Sequence, residues 1–138
     1  MPDALKASLM IASAGLEAQS HRMRIVSENI ANANSTGTTP GSDPYTRKTI
    51  SFVSALERES GLASVQVHNV GTDDAPYSLV NDPSHIAADE NGMVKMPNVE
   101  MLMEMADMRE TIRSYEANLQ AAKQARELIS MTIDMMRG

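Results

Sequence analysis

Residues 101–136 read MLMEMADMRETIRSYEANLQAAKQARELISMTIDMM, and the spacing inside this stretch decides the fold. Met101, Met105, Met108, Ile112, Tyr115, Leu119, Ala122, Arg126, Ile129, Ile133 and Met136 follow one another by steps of four and three without a slip. That is the a/d seam of a coiled-coil helix, with Arg126 its single charged interruption. Toward the other end of the chain the same steps connect Leu5, Leu9, Ala12, Leu16, Gln19, Met23, Val26 and Ile30, broken only by the polar Gln19. The pattern predicts two long helices, one near each end. Pro97 suits the first turn of the second helix, Asn98 its N-cap, and Glu100 and Glu104 the positive end of its dipole. Arg137 and Gly138 provide the complementary ending.

Neither helix is stable alone, because seam residues stabilise only when something covers them. The chain leaves and returns at one end of the pair, so the two helices are expected to pack antiparallel. An ordinary hairpin inside one domain satisfies the pattern; so do seams that also face other subunits. Leu102, Met103, Leu128, Met131 and Met135 lie outside the second seam and favour the latter, since a helix apolar on several sides needs several partners. A buried polar side chain sits best beside another, which predicts a register with Gln19 opposite Arg126. Leu16 then meets Ile129, Met23 meets Ala122 and Ile30 meets Tyr115.

Between the helices the sequence changes character. NSTGTTPGSDPYT (34–46) is a loop by composition. RKTISFVSAL (47–56), with Ile50, Phe52 and Leu56, and SVQVHNV (64–70), with Val65 and Val67 inward and His68 outward, predict strands. APYSLVND and GMVKMPN each hold a short apolar run between turn residues. The expected fold is mainly α with a small β-rich middle. Its domains are a discontinuous helical one (1–33 and 97–138) and a loop with a short-strand outer module (34–96).

Composition narrows function by exclusion. The 138 residues suffice for one ordinary domain. There is no Trp, one Phe and three Tyr, so a core must rely on aliphatic residues and on twelve Met, whose flexible side chains serve both as core filler and on surfaces that repack against partners. A net charge of −6 argues against nucleic acid. Without Cys there are no disulfides or thiolate metal sites. No apolar run is long enough to span a membrane, and the amphipathic SLMIASAGL, followed by Glu17 and His21, does not read as a cleaved secretory signal. His21, His68 and His85 form no spacing motif, so no metal is expected. DENG (89–92) lacks the ligand spacing of a calcium loop and reads as a turn. Asn34-Ser35-Thr36 matches the N-glycosylation sequon, a pattern common by chance. No nucleophile elbow, phosphate loop or carboxylate pair is present, so neither an enzyme nor a cofactor is expected.

SENIANANSTG (27–37), PYTRKTISF (44–52), DENGMVKMPNVEMLMEMADM (89–108) and IRSYEANLQAAKQARELISMTIDMM (112–136) together resemble the FlgC family of bacterial flagellar basal-body rod proteins, within the wider group of rod and hook axial proteins. The first helix ends in that group's asparagine pattern, carried by Asn29, Ile30, Ala31, Asn32, Ala33 and Asn34. Seven residues, TTPGSDP, separate Gly37 from Tyr45, an insertion that resembles this family rather than its rod relatives. Gly92, Val94, Pro97, Asn98, Val99, Arg113, Tyr115, Glu116, Ala117 and Asn118 continue the likeness. It implies a structural subunit of the proximal rod in the periplasm, exported unfolded by the flagellar type III apparatus without a cleaved signal. Terminal helices would polymerise into the drive shaft and export-channel wall. Implied partners are further copies of the chain, the rod proteins FlgB, FlgF and FlgG, and the junction protein FliE, with no nucleic acid and no membrane insertion. The residues alone also permit a soluble helical-hairpin adaptor binding a partner helix in a Met-rich groove.

Overall fold

The computed structural model describes residues 2–56 and 63–138. Among these residues two helices, α1 (Pro2–Ala31) and α2 (Met101–Arg137), flank four strands: β1 (Lys48–Leu56), β2 (Ala63–Thr72), β3 (Ser78–Asn81) and β4 (Met93–Met96). The strands form two separate two-stranded sheets, β1-β2 and β3-β4. In the second, Ser78 lies opposite Met96 and Asn81 opposite Met93, antiparallel. All four strands lie where alternation and turn residues predict them. The chain divides into two compact units, and both helices contribute to each: 1–23, 51–69 and 109–138 form one, and 24–50 and 70–108 the other.

In the first unit the helices run antiparallel. Gly15 of α1 meets Asn118 of α2, where a Cβ on Gly15 would stand 2.6 Å from Asn118 Oδ1. Farther along, Arg22 pairs with Glu110 at 3.5 Å. At the opposite end Leu5 and Lys6 line an apolar cleft of about 240 Å³ with Ile129, Thr132, Ile133 and Met136. The register is therefore not the one expected. Gln19 and Arg126 are offset by about twelve residues, roughly 18 Å along the helix axis, so they do not share a layer, and neither do Leu16 with Ile129 or Met23 with Ala122. The reason is steric. The glycine permits close approach, and small side chains fill the contact: among the described residues the buried apolar ones of this unit are Ala12, Ala18, Ala122 and Ala125, and Thr111 is fully buried as well. Gln19 Oε1 is left buried without a hydrogen bond, rather than paired, and Arg126 is exposed. Alongside α1, Ser64, Val65, Gln66 and Val67 of β2 face Ala14, Glu17, Ala18 and His21 across a cavity of about 320 Å³.

The second unit has a core of Ile25, Val26, Ala87 and Val94. Pro44, Gly92 and Pro97 are also buried. Gly92 adopts φ +78°, and a Cβ there would meet Pro83 Cγ at 2.9 Å, so the DENG turn requires glycine twice over. Asp89 Oδ1 accepts from the N–H groups of Asn91 and Met93 and closes that turn. Helix α2 begins later than its sequence signals suggest. The first intrahelical carbonyl is that of Glu100, so Glu100 is the N-cap, Asn98 is not, and Pro97 precedes the first turn. The Asn98 amide is withheld from capping because it is fully engaged elsewhere.

Candidate functional site

The last turn of α1 presents Asn29, 1 % exposed, to the point where β1 begins. Its Oδ1 accepts from the Lys48 N–H at 2.9 Å and from the Tyr45 hydroxyl at 2.7 Å. Its Nδ2 donates to the Lys48 carbonyl at 2.9 Å. The side-chain amide thus takes both polar groups of one residue's backbone, as a neighbouring strand would. Only an amide offers donor and acceptor in that geometry.

One residue earlier the pattern repeats from the other side. Asn98 Oδ1 accepts from the Arg47 N–H at 2.8 Å, and its Nδ2 donates to the carbonyls of Asp73 and Ala75 at 3.1 and 2.9 Å. The Arg47 carbonyl accepts from the Asp73 N–H at 2.9 Å. The Arg47 guanidinium donates through Nε to Glu104, 1 % exposed, and through Nη1 to Asp73 Oδ2 at 3.1 Å. Two asparagines, one ending α1 and one preceding α2, therefore clamp consecutive residues of the strand start. A buried acid from the first turn of α2 secures the arginine between them.

The electrostatics follow from these bonds. The Glu104 hydrogen bond, opposed by burial, raises the Arg47 guanidinium above its ordinary value. Burial raises the Tyr45 phenol. At the rim Lys48 Nζ meets Glu28 Oε2 at 2.8 Å, a bond that lowers the Glu28 carboxyl and raises the Lys48 ammonium. Next to the clamp, Asn32 Nδ2 donates to the Glu28 carbonyl at 2.8 Å, while its Oδ1 accepts from the Ser35 hydroxyl at 3.0 Å. Among the described residues no group of three or more His, Cys, Asp or Glu is placed to hold a metal. His85 Nδ1 accepts from the Ala87 N–H, and His21 lies 4.0 Å from Glu17 Oε1.

The structure brings Asn29, Tyr45 and Asn98 of the sequence-derived set into one cluster. Ala31, Asn34, Arg113 and Ala117 are exposed and outside it, and Asn118 bonds to the Ser114 carbonyl of its own helix. Arg47, Lys48, Glu28 and Asp73 were not singled out by sequence reasoning. Nothing in the spacing relates residues as far apart as Arg47 and Glu104; the readable signal was the charged Arg47-Lys48 pair at the entrance to a strand.

The seam residues divide by helix. Leu5, Leu9, Leu16, Gln19, Met23 and Ile30 are half-buried and Val26 buried. On α2 the inward stripe is Glu104, Met108, Thr111, Tyr115, Asn118, Ala122, Ala125, Ile129 and Thr132, sharing only alternate seam members. The other row, Met101, Met105, Ile112, Leu119, Arg126, Ile133 and Met136, is exposed. So are Leu102, Met103, Leu128, Met131 and Met135, which reach 84 % at Leu102 and 82 % at Met135.

Comparison with known proteins gives this arrangement a family. Residues 9–38 match the model described as flagella basal body rod protein, and residues 90–135 match flagellar basal body rod FlgEFG protein C-terminal. The flagellar basal-body rod protein FlgC of Agrobacterium fabrum is 57 % identical over 98 % of this chain and 97 % of its own length. FlgC of Salmonella typhimurium is 35 % identical, covering 91 % of this chain and 92 % of that protein. FlgC of Bacillus subtilis is 32 % identical, covering 93 % and 95 %. With Asn29 inside the first matched segment and Asn98 and Glu104 inside the second, the chain belongs to the FlgC family of flagellar basal-body rod proteins.

Proposed function

We propose that this chain is a subunit of the proximal rod that polymerises through its terminal helices, with 1–33 and 97–138 forming the inner layer of the shaft and 34–96 an outer module. As a member of its family it is a structural protein of the flagellar basal body rather than an enzyme. One observation carries the finer reading: in the helical unit small residues are inside and large apolar ones outside. Ala12, Ala18, Ala122 and Ala125 are buried, while Ile112, Leu119, Leu128, Met131, Ile133, Met135 and Met136 are exposed. Leaving so many large apolar side chains in water is unfavourable, and covering them is worth about 25 cal/mol per Å². A heterologous head-to-tail contact using such a face extends indefinitely into a helical filament. The proposed partners are further copies, FlgB, FlgF, FlgG and FliE, reached after passage through the flagellar type III export apparatus. No helix among the described residues is long and apolar enough to cross a membrane.

The test is complementation of a strain lacking the chain with Ile112→Lys/Leu119→Lys. The expected result is a normally helical purified protein but no hook and no motility. Full motility in that strain would count against polymerisation through α2.

A further inference from the structure

Asn91 is the only asparagine in the chain that glycine follows. Such a pair is chemically labile, because no Cβ hinders the glycine nitrogen from attacking the asparagine side-chain carbonyl carbon. The fold demands this glycine for another reason: Gly92 stands at φ +78°, and a Cβ there would meet Pro83 Cγ at 2.9 Å. The turn that requires glycine thereby creates the labile pair. It also keeps the pair from reacting. The Gly92 N–H donates to the Asp89 carbonyl at 3.0 Å, with Glu90 and Asn91 between them. Neither of these has positive φ and no described peptide bond is cis, so the turn is type I, whose third residue holds ψ at about 0°. At that angle the Gly92 nitrogen lies beside the backbone nitrogen of Asn91, not beside its Cβ, where ring closure needs it. Asp89 Oδ1 pins the arrangement, accepting from the Asn91 and Met93 N–H groups at 2.9 Å each. Asn91 is exposed, so water and base reach it. What the folded chain withholds is the geometry.

We propose that Asn91 is a latent deamidation site, protected in the folded chain and reactive in the unfolded one, so that the modification records time spent unfolded. Base removes the Gly92 amide proton, the nitrogen attacks Asn91 Cγ, and the Cγ–Nδ2 bond breaks to release ammonia. Water then opens the cyclic imide at either carbonyl, leaving aspartate or isoaspartate. The sum is side-chain amide plus water giving carboxylate plus ammonium, with no oxidant or reductant. Both products place a new negative charge next to Asp89 and Glu90. Isoaspartate also lengthens the main chain by one methylene, at the point where the Asp82 N–H reaches the Gly92 carbonyl and the Asp89 N–H the Met93 carbonyl, both at 2.9 Å. Those bonds lead into the strand register that sets Asn81 opposite Met93 and Val80 opposite the buried Val94. A chain carrying isoaspartate therefore closes its second unit less well, and the damage is retained.

The test uses the whole chain, incubated in mildly alkaline buffer with and without denaturing urea, and follows aspartyl and isoaspartyl products at position 91 by peptide mapping with mass spectrometry. Conversion should be at least about tenfold slower in the folded chain, because the turn must open before the ring can close. Asp89→Ala removes both side-chain bonds to the turn; it should raise the folded-state rate several-fold and leave the rate in urea unchanged. After dilution from urea, isoaspartyl chains should unfold at lower urea than unmodified ones and be digested first by trypsin. Equal rates with and without urea overturn the protection. So does an unchanged folded-state rate in an Asp89→Ala chain whose circular dichroism is native; if that variant does not fold, the wild-type rate ratio decides alone. Isoaspartyl chains that regain the unmodified urea midpoint overturn the retained damage.

Discussion

The asparagine clamp and the helix pair of the other unit solve opposite problems. At the clamp almost every polar group is paired by a partner distant in sequence: Asn29 with Lys48 and Tyr45, Asn98 with Arg47, Asp73 and Ala75, and Arg47 with Glu104. In the helix pair Ala12, Ala18, Ala122 and Ala125 are buried while larger residues remain in water. Polar bonding is directional and leaves one arrangement, so all of the clamp but one Glu104 oxygen is satisfied within the single chain. Apolar burial is non-directional and additive, so surface left uncovered in one chain remains available to another. The difference teaches that one region specifies the subunit and the other its associations.

The largest effect should come from breaking the clamp. Asn29→Leu removes three hydrogen bonds and strands the Lys48 backbone groups in a buried site, which should cost about 3 kcal/mol in urea unfolding. A loss under about 1 kcal/mol would mean that the clamp is incidental. Asn32→Leu, whose bonds are local, should by contrast reduce incorporation into basal bodies more than it reduces folding stability; equal loss of both would make it an ordinary helix end.

The helix pair is broken differently. Gly15→Leu forces a side chain into Asn118 and should destabilise by about 1–3 kcal/mol. Combined with Asn118→Ala, the milder Gly15→Ala should instead recover up to about 1 kcal/mol through helix propensity. Additivity in that double-mutant cycle would show that the two positions do not touch.

Extremes of pH should separate the regions further. Tyr45 ionises at higher pH in the folded chain than in the unfolded one, so its contribution is intact below about pH 10 and lost as pH rises through the folded value. Lys48 and Arg47, also raised, act in the same alkaline direction. Glu28 is lowered by Lys48; its contribution is present above the ordinary carboxylate range and fades as pH falls through the folded value. Unfolding midpoints across pH, followed with tyrosinate absorbance, should show an alkaline decline that Tyr45→Phe changes. An unchanged profile would exclude Tyr45 as its source. The smallest effect belongs to the exposed row: Ile112→Lys/Leu119→Lys should move monomer stability by no more than about 0.5 kcal/mol despite abolishing assembly. A larger loss would put that row inside the monomer.

Much of the architecture is legible in the sequence. Four-three spacing locates both helices, alternation locates β1 and β2, and turn residues bracket β3 and β4. Less could be read of what the helices do with their seams. Periodicity reports that an apolar stripe exists, but the stripe on α2 is broad, and spacing alone does not say which of its rows turns inward. The contact followed Gly15 and the alanines, which carry little hydrophobic weight in a pattern search but allow the closest backbone approach. Asn98 illustrates the same limit. Before a helix it reads as a cap, because local geometry is all that a sequence window contains.

From sequence alone came the element order, the excess apolar surface on α2, the absence of cysteine chemistry and the asparagine pattern at 29–34, all properties of residue type and near-neighbour spacing. The tertiary structure decided the register, the exposed row, the N-cap at Glu100 and the meeting of Asn29, Arg47, Asn98 and Glu104. Each of these depends on which distant groups can approach within a hydrogen bond or a van der Waals radius, and that is settled only when the backbone closes on itself.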